Sequence, residues 1–464
     1  MRAPTATPAA TNYYDGLNLK LLDAIPAKAR RVLELGCANG LLGRRFKELH
    51  PGVQWCGVDV SADAVAAASQ HLDRAVQLDL DNADLSVLEG GFDVIVIGDL
   101  LEHLRDPGRV LSALYDLGTE DARIACCLPN MGHLSVIERL VAGDISYDAA
   151  GLLDRTHTRF YTPSSAFKTF LDSGWMPHLK DQYRFKLPQT HFAARIVDAA
   201  VALGLPMETA VHNLGLYQMI LVCEKWPLQS LLRPGPRVPF SVIVPVNRPW
   251  QHELNVARSP GLQEIDAEVI CVQGASSAAA AYVSGSQRAT HAWRVMAHQD
   301  VYFPTGSGYA LAQQLGAVEQ AGLIGAPIGF AGLEPDPARK GTVRKAGLVI
   351  DRTTLFRHQP SAGAVSMDEF AVALHRDSDV SIDPALGWHL WATDLCLQAE
   401  QKAKRPIAQI LDVPLFHNST NAHQLPPEFH SSARVLMDKY PTRQRFATLC
   451  GELTRKNAAA LHAA

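Results

Sequence analysis

The sequence predicts an α/β protein made of two doubly wound domains in tandem, and three observations carry that expectation. The chain is 464 residues long, more than one ordinary hydrophobic core organises at roughly 150 residues per domain. Short apolar runs alternate with helix-like segments in the first half and again after residue 240, the pattern of parallel strands joined by crossover helices. Between the halves, residues 227–239 gather Pro227, Pro234, Pro236 and Pro239 with Gly235 and scattered arginines, the composition of a semi-rigid linker. The expected division is a flexible N-terminus at 1–12, a first domain at 13–226, the linker at 227–239 and a second domain at 240–464.

Composition sets the outer bounds. Hydrophobic content of 47%, charged content of 19% and a formal net charge of −4 are globular values that give no reason to expect a nucleic-acid or anionic-membrane partner. The eight cysteines, Cys37, Cys56, Cys126, Cys127, Cys223, Cys271, Cys396 and Cys450, form no C-x-x-C pair and read as small buried hydrophobes of a reducing compartment. Residues 1–11 are rich in Ala, Pro and Thr without an apolar core, and no run of about 20 apolar residues occurs. A cytoplasmic protein without a transmembrane segment is the expectation.

In chain order, the run 32–35 reads as a strand, a loop with Gly36 and Gly40 follows, and 41–49 reads as a helix. This strand, tight turn and helix start lets backbone N–H groups approach a ligand. A dinucleotide fingerprint wants glycine at the first, third and sixth loop positions, but here the third is Ala38 and the sixth is Leu41. Glu34 at the strand end would repel a pyrophosphate and attract a cation. S-adenosylmethionine, with a sulfonium, an ammonium and no phosphate, fits those terms. The second strand, 53–60, carries Asp59 about 20 residues beyond the loop, where an acid can take a ribose hydroxyl pair. Helix 62–71, strand 75–78, strand 92–97, helix 107–117 and strand 123–128 continue the alternation. Asp79 closes the third strand, placed for the adenine amine. The expected cofactor set is Glu34, Gly36, Cys37, Ala38, Gly40, Asp59, Asp79 and Asp99.

Beyond the fourth strand, Asp99, Glu102 and His103 stand in an otherwise apolar run on the face where the methyl group should lie. His103 can take a proton from an acceptor hydroxyl, because an imidazole titrates near neutrality. The motifs Glu34-Leu-Gly-Cys-Ala-Asn-Gly40, Asp59 and Leu101-Glu-His-Leu-Arg-Asp-Pro107 together resemble class I S-adenosylmethionine-dependent methyltransferases, in the group of the ubiquinone-biosynthesis O-methyltransferases, over residues 13–225. Ala38 departs from the glycine usual there. Asp99, Glu102 and His103 also resemble the ligand run of metal-dependent O-methyltransferases, and residues 155–160 resemble the segment bearing the downstream histidine, here His157, of small-RNA 3′-end methyltransferases. The resemblance implies a divalent metal on those four residues; the alternative is that Glu102 and His103 cap a helix start and shape the pocket without metal. Residues 190–217 read as a helical insertion that selects the acceptor. The last strand, 217–224, is expected to pair with 181–186.

A second alternating series starts at strand 240–246, with strand 267–272, helix 278–290 and a strand running into Val295-Met-Ala-His298-Gln-Asp300. Asp394 precedes an amphipathic helix, and His417 ends a strand at 414–419. These stretches resemble family-2-type glycosyltransferases of GT-A fold, of the streptomycin-biosynthesis kind, in which a His-Gln-Asp-Val run stands for the Asp-x-Asp motif. The resemblance implies that Asp300, with His298 and His417, holds Mg²⁺ or Mn²⁺ and a nucleotide sugar. It also implies that Asp394 is the general base of an inverting transfer and that residues 367–370 shape the sugar pocket. Two departures stand against it: Gln273-Gly274 replaces a nucleotide-binding Asp, and the first Asp of the metal motif is missing. The leading expectation is a bifunctional enzyme acting on a glycan or glycolipid acceptor, compatible with peripheral association with a glycan assembly complex. The alternative is a methyltransferase whose second half only binds glycan or docks.

Overall fold

The computed structural model describes residues 16–226, 237–420 and 425–455; the expected N-terminal segment 1–12 and most of the linker lie outside them. The chain divides into two compact units, Met1–Trp226 and Pro227–Ala464.

The first unit is a seven-stranded sheet of β1 (Arg31–Leu35), β2 (Gln54–Asp59), β3 (Arg74–Gln77), β4 (Phe92–Gly98), β5 (Gly118–Pro129), β6 (Trp175–Arg184) and β7 (Leu216–Lys225), in the order β3-β2-β1-β4-β5-β7-β6. The first five strands are parallel, and β7 runs antiparallel to both its neighbours. Strand order therefore reverses between β1 and β4, which opens a crevice at their carboxyl ends, the usual ligand position in open α/β sheets. The helices are α1 (Leu19–Ala24), α2 (Leu41–Leu49), α3 (Ala62–Ala68), α4 (Pro107–Leu117), α5 (Leu134–Val141), α6 (Pro163–Asp172), α7 (His191–Ala202) and α8 (Met207–Gly215). Their starts follow local chemistry: Asp106 caps α4 with Pro107 at its first position, and Thr162 and Ser165 form a reciprocal capping box on α6. The core joins Val32, Phe46, Trp55, Leu72, Val94 and Val96.

Two expectations need adjustment here. Strand β3 ends at Gln77, so Asp79 lies two residues beyond it. The helical stretch 190–217 is a pair, α7 and α8, broken where Gly204 takes φ +89° and Pro206 caps the second helix.

The second unit begins with β8 (Phe240–Val246), β9 (Glu268–Gln273), β10 (Trp293–Ala297), β11 (Val301–Tyr302), β12 (Ile328–Gly329), β13 (Ala331–Pro335), β14 (Val343–Asp351) and β15 (Thr354–Arg357). It continues with β16 (Ser361–Ala364), β17 (Ser366–Met367), β18 (Ala371–His375), β19 (Ala408–Ile410) and β20 (Leu415–His417). The larger sheet, β16-β19-β12-β18-β10-β8-β9, is mixed and not the parallel, doubly wound sheet expected. β8 pairs in parallel with β9 and β10, but β18 runs antiparallel to β10 and β12, as β16 does to β19. A smaller sheet, β11-β20-β14-β13-β17 with β15 added on β14, draws on residues 331–357, where no element is expected from the sequence. It sets the second site, because β20 brings His417 opposite Val301 on one side and Asp351 on the other.

Candidate cofactor and metal sites

In the loop after β1, Gly36 and Gly40 have φ of +70° and +76°, and Ala38 shares the left-handed region at +48°. A Cβ on Gly36 would lie 3.3 Å from the Leu100 side chain, and one on Gly40 would lie 3.0 Å from the backbone of Ala68. Both glycines thus answer to conformation and close packing together. Gly36 N and Cys37 N donate to Val58 O, and Ala38 N donates to Asp59 Oδ2 at 3.0 Å while Ser61 N donates to Oδ1 at 2.9 Å. Asp59 therefore ties the loop to the end of β2 at the crevice. The Cys37 side chain is in the core, so only its backbone can face a ligand. Asp79 is exposed, and hydrogen bonds from Asn82 Nδ2 and Asp81 N hold its carboxyl below the usual range.

Glu34 departs from the expectation that it is an open anionic group. It is 5% exposed, Trp55 Nε1 donates to its Oε2 at 2.8 Å, and burial pushes its carboxyl up to about 8 despite that bond, with Asp59 adding to the rise. Its charge is conditional on a cation arriving beside it.

Past β4, a 3₁₀ turn over Leu101–His103 carries the cluster. Glu102 is 1% exposed, its Oε2 has no hydrogen-bond partner among the described residues, and burial followed by nearby Asp99 holds its carboxyl well above the ordinary value. His103 Nδ1 faces Thr156 Oγ1 at 3.0 Å, and that hydroxyl donates to Asp154 Oδ1 at 2.6 Å. His157 Nδ1 faces Leu152 O at 3.1 Å. Because a carbonyl and a committed hydroxyl both accept, each imidazole carries its proton on Nδ1 and presents an Nε2 lone pair, the tautomer of a metal ligand or a general base. Burial and then His157 lower the pKa of His103. Glu102, His103 and His157 offer ligand atoms all within 4.8 Å of one another. Asp99 is outside that group: its Oδ1 accepts from Gln218 Nε2 at 2.8 Å, and burial raises its carboxyl. So three of the four expected ligands converge, and their lone pairs together with the orphaned Glu102 oxygen fit a divalent cation. Asp154 and Thr156, which orient His103, were missed; nothing in their spacing marks them.

In the second unit, His298, Asp300 and His417 also converge within 4.8 Å. His417 Nε2 stands 3.5 Å from Asp300 Oδ1, and its Nδ1 is 3.0 Å from Asp351 Oδ1. Among the described residues neither His417 Nε2 nor Asp300 Oδ1 has a hydrogen-bond partner closer than this ion pair, so a cation held there would have to displace the His417 proton. Burial alone would lower the His417 pKa, but the two carboxylates outweigh it and raise it to about 10, while His417 draws Asp300 down to about 2 against its own burial. Burial holds His298 at about 4. Gln299, the middle of the run, has a framework role: its Oε1 accepts from Asn247 N and Arg248 N, and its Nε2 donates to Gln251. Sequence reasoning missed Asp351, visible only once β14 and β20 pair, and His389, whose Nδ1 is 3.7 Å from Glu369 Oε2.

Asp394 does not sit as a general base must. It is 0% exposed on the helix Trp391–Ala403, where Lys439 Nζ (2.8 Å) and Gln398 Nε2 (2.6 Å) donate to Oδ2 and Tyr440 OH (2.7 Å) donates to Oδ1. Its carboxylate anchors the helix Pro427–Lys439, and no acceptor hydroxyl can reach it.

Residues 33–124 match the family described as a methyltransferase domain. The chain is 32% identical over 151 residues to a ubiquinone biosynthesis O-methyltransferase of Nitrobacter winogradskyi, covering 31% of this chain and 56% of that protein. It is 26% identical over 156 residues to the Psychrobacter arcticus protein of that name, covering 32% and 59%. The chain thus spans about half the length of these curated relatives. Among solved structures, a SAM-dependent methyltransferase from Archaeoglobus fulgidus is 17% identical at a TM-score of 0.31, over 43% of this chain and 87% of that one. Another from Mesorhizobium loti is 16% identical at a TM-score of 0.30, over 44% and 95%. With the family match lying on the glycine loop and the strands β1, β2 and β4 that frame the crevice, the N-terminal part of the chain is a class I S-adenosylmethionine-dependent methyltransferase domain.

Proposed function

We propose that the first unit transfers the methyl group of S-adenosylmethionine to an acceptor hydroxyl, and that the second is a nucleotide-sugar-dependent glycosyltransferase working on the same glycan or glycolipid. The carrying observation is the Asp59 carboxylate, which closes the glycine loop at the switch point and keeps lone pairs for a ribose. His103, turned by Thr156 and Asp154, takes the acceptor proton at Nε2. A divalent cation would be held by Glu102, His103 and His157 and would stabilise charge on the acceptor oxygen in place of proton transfer to His103, because the same Nε2 lone pair would then be on the metal. Titration with labelled S-adenosylmethionine tests the reading: binding is expected to vanish in Gly36→Val, and persistence would count against the site. Metal analysis of the purified protein tests the cation.

For the second unit, support comes from the His298–Asp300–His417 cluster and from a cavity of about 510 Å³ at the ends of β8 and β9, lined by Trp250, His252, Cys271 and Gln273. The burial of Asp394 favours a second reading, in which this unit binds glycan without catalysing transfer. Release of nucleoside diphosphate from a panel of nucleotide sugars, abolished by Asp300→Ala, supports the enzyme; no release from any of them supports the binding module.

A further inference from the structure

We propose that Phe185, Tyr217 and His133 form a platform that positions a pyranose ring of the acceptor beside the methyl donor; this rests on the methyltransferase reading of the first unit. The rings come from three elements: His133 caps α5, Phe185 follows β6 and Tyr217 lies in β7. They meet edge to face, with centroids 5.4 Å apart for His133–Tyr217, 5.3 Å for Phe185–Tyr217 and 6.0 Å for His133–Phe185. The cluster is open, since Phe185 is 58% exposed and the other two rings are half-buried.

Each ring stands on a pinned backbone. Buried Asn130 donates from its N to Tyr217 O and from Nδ2 to Leu216 O, and its Oδ1 accepts from Gly132 N. One side chain thus ties the turn before His133 to the start of β7. Phe185 N donates to Gly215 O at 2.9 Å, and a Cβ on Gly215 would lie 2.7 Å from Phe185 O, so the close approach requires glycine. Ser135 N donates to His133 Nδ1 at 3.3 Å, which leaves Nε2–H as the donor of a neutral ring; burial lowers the pKa of His133 and favours that state. A large aromatic held this firmly, yet left in water, gains little from the core for the freedom it gives up.

The platform is linked to the methyl-donor loop through the backbone and two side-chain contacts. Tyr217 precedes Gln218, which donates to Asp99; Asp99 precedes Leu100, which packs over Gly36. On its other flank Tyr217 packs with Leu152 and Leu153, and Leu152 O orients His157. The margin offers His133 Nε2 and the Ser135 hydroxyl, both neutral. A buried phenol gains most when both ring faces are covered, whereas an open, one-sided aromatic surface suits the apolar C–H face of a pyranose, whose hydroxyls then meet neutral donors and water.

Saturation-transfer NMR on the full chain, with S-adenosylhomocysteine present and methyl pyranosides and catechol as probes, tests this. Pyranoside ring protons are expected to receive saturation; Phe185→Ala should cut it at least about fivefold while S-adenosylhomocysteine affinity stays within about twofold, and Phe185→Tyr should retain it. No transfer to any pyranoside, transfer to catechol alone, or undiminished transfer in Phe185→Ala would overturn the proposal. Failure of the wild-type protein to bind S-adenosylhomocysteine would remove the methyltransferase reading itself, and the platform with it.

Discussion

In the first unit, burial governs the Glu102–His103–His157 cluster: it pushes the Glu102 carboxyl up and the His103 imidazole down, so both favour their neutral forms. In the second, the His298–Asp300–His417 cluster likewise pairs one carboxyl with two imidazoles, yet His417 is raised to about 10 and Asp300 lowered to about 2. The difference is the paired counter-charge. His417 lies between two carboxylates, Asp300 and Asp351, whereas in the first unit Thr156 and Leu152, both uncharged, take the Nδ1 atoms of His103 and His157. Residue type therefore does not fix the charge of such a cluster; the groups on the far side of each imidazole do.

The largest expected effect separates an interior carboxylate from a site carboxylate. Asp394→Ala leaves Gln398 Nε2 and Tyr440 OH facing a buried gap, while Lys439 keeps Asp383, and is expected to cost the second unit about 2–3 kcal/mol in chemical denaturation. Asp300→Asn should cost less, because His417 keeps Asp351; equal losses would break the distinction. Next in size, Asp59→Ala should weaken S-adenosylmethionine binding by at least about 30-fold, or about 2 kcal/mol, in calorimetry, and an unchanged Kd would return Asp59 to a purely structural role.

The charge contrast can be read directly by histidine NMR. His417 is expected to titrate near pH 10 and His103 below its ordinary value, and Asp351→Asn should lower the first by about one unit without moving the second. A pKa raised on folding stabilises fully below the unfolded value and is lost as pH rises through the folded one. The His417 contribution to the second unit should thus fade between about pH 6.5 and pH 10. The smallest effect concerns Glu34. A cationic ligand lowers its pKa from about 8, so binding releases a proton and affinity should climb with pH up to about 8 and then level off. Glu34→Gln should flatten that climb relative to wild type, and identical slopes would sink the assignment.

Much of the first unit was legible because its signals are local. The run 32–35, the glycines at 36 and 40 and the helix 41–49 fall where the structure has β1, its loop and α2, since strand alternation, left-handed turns and helix starts are decided within a few residues. The Glu34–Trp55 hydrogen bond joins residues 21 apart and depends on β1 and β2 being neighbours. Asp394 misled for a related reason: a carboxylate in the first turn of a helix reads the same whether it faces a substrate or Lys439, and the deciding side chain comes 45 residues later. The strands over 331–357 escaped because a short strand is fixed by its partners more than by its own composition.

The sequence by itself determined that the first half alternates as a wound α/β unit, that its opening loop lacks the dinucleotide glycine spacing, and which acids and histidines were available for chemistry. The tertiary structure alone decided which of them meet. It brought Glu102, His103 and His157 together without Asp99, set Asp351 behind His417 through the β14–β20 pairing, and enclosed Asp394 in the core. Backbone propensity acts over a few residues, whereas the charge and reach of a side chain depend on groups brought near it from distant parts of the chain.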